Sequence, residues 1–130
     1  MSAETNLEVA RKLWDSAAKG DPEGMQLLHP DVVWKTCGAG DHAGQYNGID
    51  EVLLYLASTT GGVTDRVSEL IDILASEDGA VIYYRMEAER GPRKSEGLFF
   101  LWMRIHDGVI REVAAVPWDQ AGNDAFLRLD

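Results

Sequence analysis

Residues Val81 to Arg90 read Val-Ile-Tyr-Tyr-Arg-Met-Glu-Ala-Glu-Arg, which sets the guanidinium of Arg85 two positions from the carboxylate of Glu87. A cation beside a carboxylate is the minimum equipment for acid–base chemistry: the carboxylate takes a proton while its partner holds the developing anion. Side chains alternate across a β-strand, so Tyr83, Arg85, Glu87 and Glu89 share one face, and Ile82, Tyr84, Met86 and Ala88 share the other. If the charged face meets water, the pair is a solvated ion bridge on a half-buried strand, the commoner case. If it meets a cavity, Arg85 and Glu87 are catalytic candidates. Alternation alone does not choose between the two.

His42 is a third candidate acid or base, because it lies in the loop stretch Asp41-His-Ala-Gly-Gln-Tyr46 and an imidazole titrates near neutrality. In such a loop the histidine is most simply exposed, and Tyr46 packs beneath the loop as its cap while keeping a hydroxyl within reach of a ligand. Trp14, Trp34, Trp102 and Trp118 read first as core or interface residues, although indoles also suit flat apolar ligands. His29 and His106 read as a helix-end and a surface residue, and no histidines and acids share metal-ligand spacing, so no metal is expected. Cys37 has no evident histidine partner and reads as a packing residue. The glycines from Gly38 to Gly44 lack the helix cap and lysine of a phosphate cradle.

The elements that must position these groups follow from periodicity and punctuation. Thr5 and Glu8 have capping-box spacing, and Ala10, Leu13, Trp14, Ala17 and Ala18 recur on one helical face as far as the stop at Gly20. Asp21-Pro22 opens a short second helix with Met25, Leu27 and Leu28, closed by His29-Pro30. Residues 31–36 read as a strand, 38–48 as a glycine-rich loop, and 49–58 as a helix with Val52, Leu53 and Leu56 in its core stripe. Four consecutive antiparallel strands follow, near 66–74, 80–89, 96–106 and 109–118, joined by short turns. The tail from Asp119 carries Phe126 and Leu127 as apolar anchors.

Helix, helix, strand, helix and four strands make an α+β layer in which helices cover one face of a curved sheet and leave a cavity at its open end. Both faces of the stretch Leu98–Ile105 are apolar, so the outer face is expected to meet a second subunit in a homodimer. The 130 residues fit one domain, 1–130. A formal charge of −10 and a pI of about 4.6 argue against nucleic acid or an anionic membrane surface as partner. A single cysteine, an N-terminus without a basic start or apolar run, and the lack of a span-length apolar stretch give the expectation of a cytoplasmic protein.

The succession Ala18-Lys-Gly-Asp-Pro-Glu-Gly24, Leu27-Leu-His-Pro-Asp-Val-Val-Trp34, Ala43-Gly-Gln-Tyr-Asn-Gly-Ile-Asp50 and Asp107-Gly-Val-Ile-Arg-Glu-Val113 resembles the nuclear transport factor 2-like superfamily, and within it the SnoaL-like group. Relatives include polyketide cyclases, ketosteroid isomerases and limonene epoxide hydrolases. The resemblance implies a cone: a cystatin-like curved sheet enclosing the first helix, a deep apolar pocket on the concave side and a dimer interface on the convex side. By its pattern, Arg85 and Glu87 fall on the epoxide hydrolases' Arg-x-Asp pair and point into the pocket. Trp34 and Thr36 fall on that family's water-binding pair, and Trp14 and Trp34 lie where relatives line their cavity.

By the same resemblance, the acid those enzymes carry on the last strand falls at or beside Ala115 here, flanked by Glu112 and Asp119 out of register. The three ketosteroid isomerase positions hold Leu13, Thr36 and Leu101. Two functions follow as expectations, both without a cofactor: chemistry on a small apolar or polycyclic molecule, or a module whose cavity holds a small molecule or is filled by its own side chains. One is a cofactor-independent isomerase, hydrolase or cyclase, with Arg85, Glu87 and His42 catalytic and Trp14, Trp34, Thr36, Tyr46 and Trp102 contacting substrate. The other is a noncatalytic ligand-binding or dimerisation module.

Overall fold

The computed structural model describes residues 2–128 and shows a mixed α+β fold built on one curved, six-stranded sheet. Helix α1 spans Ala3–Lys19. Its cap is Ser2, whose Oγ accepts from the Thr5 amide at 3.2 Å, so Thr5 sits in the first turn and the expected Thr5 cap is corrected by three residues. Gly20 ends the helix in the left-handed conformation, φ 68°. Asn6, Val9, Ala10 and Leu13 form the buried stripe, while Ala17 and Ala18 are exposed, Ala17 at the lining of the cavity that helices and sheet enclose. A 3₁₀ turn follows at Pro22–Leu27, capped by the Asp21 carboxylate on the Glu23 amide.

Strand β1 runs Leu28–Thr36 and so begins three residues earlier than its apolar pattern suggests, taking His29-Pro30 into the strand. Proline is tolerated because β1 shifts register against β6 between Leu28 and Val33, where no ladder donor is required. The segment read as a loop contains β2, Gly44–Asn47, an edge strand on β1. Helix α2 spans Ile49–Thr60 and buries Val52; Leu53, expected in the core stripe, is 42% exposed. The long strands are β3 Val63–Ala75, β4 Gly79–Arg90, β5 Arg93–His106 and β6 Val109–Pro117, and the tail folds as helix α3, Gln120–Phe126.

Sheet order is β2-β1-β6-β5-β4-β3, antiparallel except for the parallel β1–β6 pair. Its register sorts every strand into two faces. Ile82 pairs with Leu101 and Leu101 with Ala115, Tyr84 with Phe99 and Phe99 with Pro117; these face the helices on the concave side. Tyr83 pairs with Phe100, Val81 with Trp102, Arg85 with Leu98 and Arg104 with Glu112, on the convex side. The fully buried Val32, Val52, Ile82, Met103, Ile110 and Val113 hold helix and concave face together. Among the described residues no helix is long and apolar enough to cross a membrane.

Candidate functional site

Helices α1, α2 and α3 and the concave face enclose a cavity of about 360 Å³, within the range that takes a small organic ligand. Trp14 of α1 packs on Tyr84 of β4 with ring centroids 5.2 Å apart, and Tyr84 stacks on Phe99 of β5 at 5.5 Å. Trp34 of β1 approaches Tyr55 of α2 at 6.1 Å on the opposite wall. Leu13, Met86, Leu101 and Ala115 fill in between, and Thr36, Gln120 and Asn123 add polar atoms. None of the described residues lining the cavity is an aspartate or glutamate, and the only cation is Arg66.

The Tyr55 and Tyr84 phenols here are held neutral. Burial, then the nearby Tyr46 and Tyr84, push the Tyr55 phenol up to about 12, against a smaller opposing pull from the Trp34 indole. Burial also raises Tyr84, partly offset by Arg66. Tyr46 packs behind Tyr55 at 4.5 Å and donates its hydroxyl to the His42 carbonyl at 2.8 Å, the same carbonyl that receives the Thr36 hydroxyl at 2.7 Å. Two half-buried hydroxyls thus anchor one loop residue. That holds His42 only 8% exposed, contrary to the exposed loop histidine expected, with its ring edge-on to Tyr55 at 6.3 Å and Nε2 without a hydrogen-bond partner among the described residues. His42 also lines a small void of about 20 Å³ with Thr36, Cys37, Tyr55, Asn123 and Asp124.

Trp14, Trp34 and Thr36 therefore line the cavity, and His42 and Tyr46 stand behind its wall. Arg85, Glu87 and Trp102 do not line it. The inward-pointing pair implied by resemblance is corrected, because β4 turns Ile82, Tyr84, Met86 and Ala88 inward and alternation sends Arg85 and Glu87 outward. On the convex face Arg85 binds Glu87 at 2.5 Å and Glu96 of β5, and these hydrogen bonds, Glu87 first, raise its pKa. Trp102 lies beneath the Arg104 guanidinium, 5.8 Å away, on that same outer face.

The last strand offers no replacement acid. Ala115 faces the cavity, while Glu112 points outward to Lys35 at 2.6 Å and Arg104 at 3.6 Å. Those partners, the Lys35 hydrogen bond foremost, hold the Glu112 carboxyl below its usual range. Asp119 is occupied as the α3 cap, accepting from the Gly122 amide at 3.0 Å. Tyr84, Tyr55, Phe99 and Arg66 are site residues that sequence reasoning passed over. The first three carried a signal: Tyr84 and Phe99 sit on apolar strand faces, and Tyr55 falls at helical spacing from Val52 and Thr59. Among the described residues no group of three His, Cys, Asp or Glu side chains is placed to hold a metal ion.

Solved structures with this architecture include Bal32a from a soil-derived mobile gene cassette, 23% identical, with a TM-score of 0.88 over 97% of this chain and 98% of that one. A protein of unknown function with cystatin-like fold from Xanthomonas campestris is 24% identical, with a TM-score of 0.84 over 95% and 98% of the two chains. TerC, co-crystallised with polyporic acid, is 17% identical, with a TM-score of 0.80 over 95% and 98%. At these identities the likeness shows the fold. No curated protein matches the sequence significantly. The family profile of the SnoaL-like domain matches residues 10–113, and the chain belongs to that family, on the cystatin-like fold shared with nuclear transport factor 2-like proteins.

Proposed function

We propose that the protein binds a small, flat, apolar molecule in the cavity between the helices and the concave face, and that binding itself is its function. The observation that carries this reading is the lining: Trp14, Trp34, Tyr84 and Phe99 frame about 360 Å³ with no carboxylate among the described residues there. Aromatic walls with a few fixed hydroxyls and amides favour retention of a planar ligand. Acid–base turnover of the kind the resemblance implies needs a paired carboxylate inside. TerC, of the same fold, was crystallised with polyporic acid, a precedent for a small molecule on this scaffold.

The test is a titration with the neutral dye N-phenyl-1-naphthylamine, whose emission rises in apolar surroundings. The unchanged protein should bind it, and Ala115→Trp, which places an indole in the cavity, should weaken binding at least tenfold without loss of fold. Equal affinity in the variant would put the dye elsewhere and defeat the reading.

One observation favours a second reading, in which His42 performs general acid–base chemistry: its Nε2 is buried and without a partner among the described residues. On that reading the His42 ring resonances shift when the cavity fills, and unchanged resonances would remove it. The convex face supports a homodimer, because Leu74 is 63%, Val67 57%, Val116 37% and Trp102 36% exposed on one side of the sheet.

A further inference from the structure

Arg66 stands out in the cavity wall. The chain carries 22 acidic and 12 basic residues, yet among the described residues the only charged side chain lining the cavity is a guanidinium. Its orientation is set by the backbone. β3 pairs with β4 at Thr64↔Glu89 and again at Val67↔Glu87, so Asp65 and Arg66 together oppose the single residue Ala88. Asp65 takes up the extra length with φ 50°, a conformation that aspartate tolerates better than most residues.

In an unbroken ladder Arg66 would pair with Glu87 and face outward with it. The bulge gives that place to Val67, which is 57% exposed, and leaves Arg66 on the cavity side beside the buried Ala88. There it faces Tyr84, whose ionisation it favours electrostatically. Among the described residues no ion pair with Arg66 forms. Being itself exposed, the guanidinium sits where the cavity meets solvent.

We propose that the cavity ligand is a flat hydrophobic monoanion whose charged oxygen group docks on Arg66 while its apolar body lies against Trp14, Tyr84 and Phe99. This rests on the binding reading above and names the ligand class. A guanidinium at the rim of an apolar pocket gives two parallel donors to a carboxylate, sulfonate or phenolate-type group. It also orients the ligand, because the other described residues of the lining are uncharged.

The experiment compares two dyes with one skeleton, 8-anilinonaphthalene-1-sulfonate and the uncharged N-phenyl-1-naphthylamine. The unchanged protein should bind the sulfonate about tenfold more tightly, or about 1.4 kcal/mol. Arg66→Gln should erase that preference by weakening the sulfonate about tenfold, with less than a twofold change for the neutral dye. Arg66→Lys should keep most of the preference, and melting curves of both variants should match the unchanged protein. Equal affinities in the unchanged protein, or a Gln variant that weakens both dyes alike or neither, would overturn the proposal. Neutral-dye binding that is lost in Ala115→Trp, together with sulfonate binding that is indifferent to Arg66, would leave the cavity reading standing and remove only the anion. Failure of both dyes to bind would remove both.

Discussion

Tyr55 illustrates how a single side chain can report on the cavity wall. Its phenol is held to about 12 chiefly by burial, whereas in the unfolded chain it ionises near the ordinary tyrosine value of about 10. The folded pKa is the higher one, so the neutral side chain costs nothing below pH 10. Between pH 10 and 12 the unfolded state alone gains by ionising, and stability falls as pH rises. Linkage over that window amounts to about 2–3 kcal/mol. Denaturant unfolding of the unchanged protein and of Tyr55→Phe at pH 9 and pH 12 should show the variant losing less stability; identical losses would mean the phenol is solvated. The neighbouring lesson concerns Arg85 and Glu87. Strand alternation correctly grouped them on one face, but spacing cannot say which face is inside, and the pattern match to epoxide hydrolases supplied the wrong direction. Burial of the purely apolar face, Ile82 to Ala88, was the stronger physical argument, since an inward ion pair would have needed compensation for lost hydration.

At the scale of elements, β4 and β5 meet so closely that one glycine is obligatory. A Cβ placed on Gly79 would lie 2.0 Å from the Met103 carbonyl oxygen, a backbone atom that cannot swing aside. Gly79→Ala should therefore destabilise by about 3 kcal/mol, at the upper end of ordinary overpacking, and calorimetry should show a clearly lower melting temperature. No change would mean the strand ends are free to separate. The helices and the four long strands were legible in the sequence because periods of 3.6 and 2 and Gly-rich turns mark them. β2 was hidden because four residues among glycines give no alternation to read, and α3 because Gln120–Phe126 has a single buried anchor, Phe126. The bulge that turns Arg66 inward has no dependable sequence mark, since an aspartate serves equally well in a turn, a cap or a strand end. The site was thus half legible: Trp14, Trp34 and Thr36 lie in its wall, while its charge depends on a register shift.

For the whole molecule, the two faces of one sheet divide the work. The concave face is closed by helices around a cavity; the convex face exposes Leu74, Val67, Val116 and Trp102 around the stacked Tyr83–Phe100 pair, whose centroids are 4.6 Å apart. A stable dimer buries about 800 Å² per partner, which this face would supply from those apolar side chains together with the paired Arg85, Glu87 and Glu96 beside them. Sedimentation should find a dimer at micromolar concentration, and Trp102→Glu, which sets a charge at the middle of that face, should shift it to monomer; a monomeric unchanged protein would leave the apolar face without its expected partner.

The most direct test of the division of faces is a methyl-resolved NMR titration with N-phenyl-1-naphthylamine. The account predicts that Met86, Leu101 and Ala115, on the concave face, shift together with one affinity while Leu74 and Val67, on the convex face, stay put. Shifts at Leu74 and Val67 with Met86, Leu101 and Ala115 unmoved would place the ligand on the outside of the sheet and contradict it.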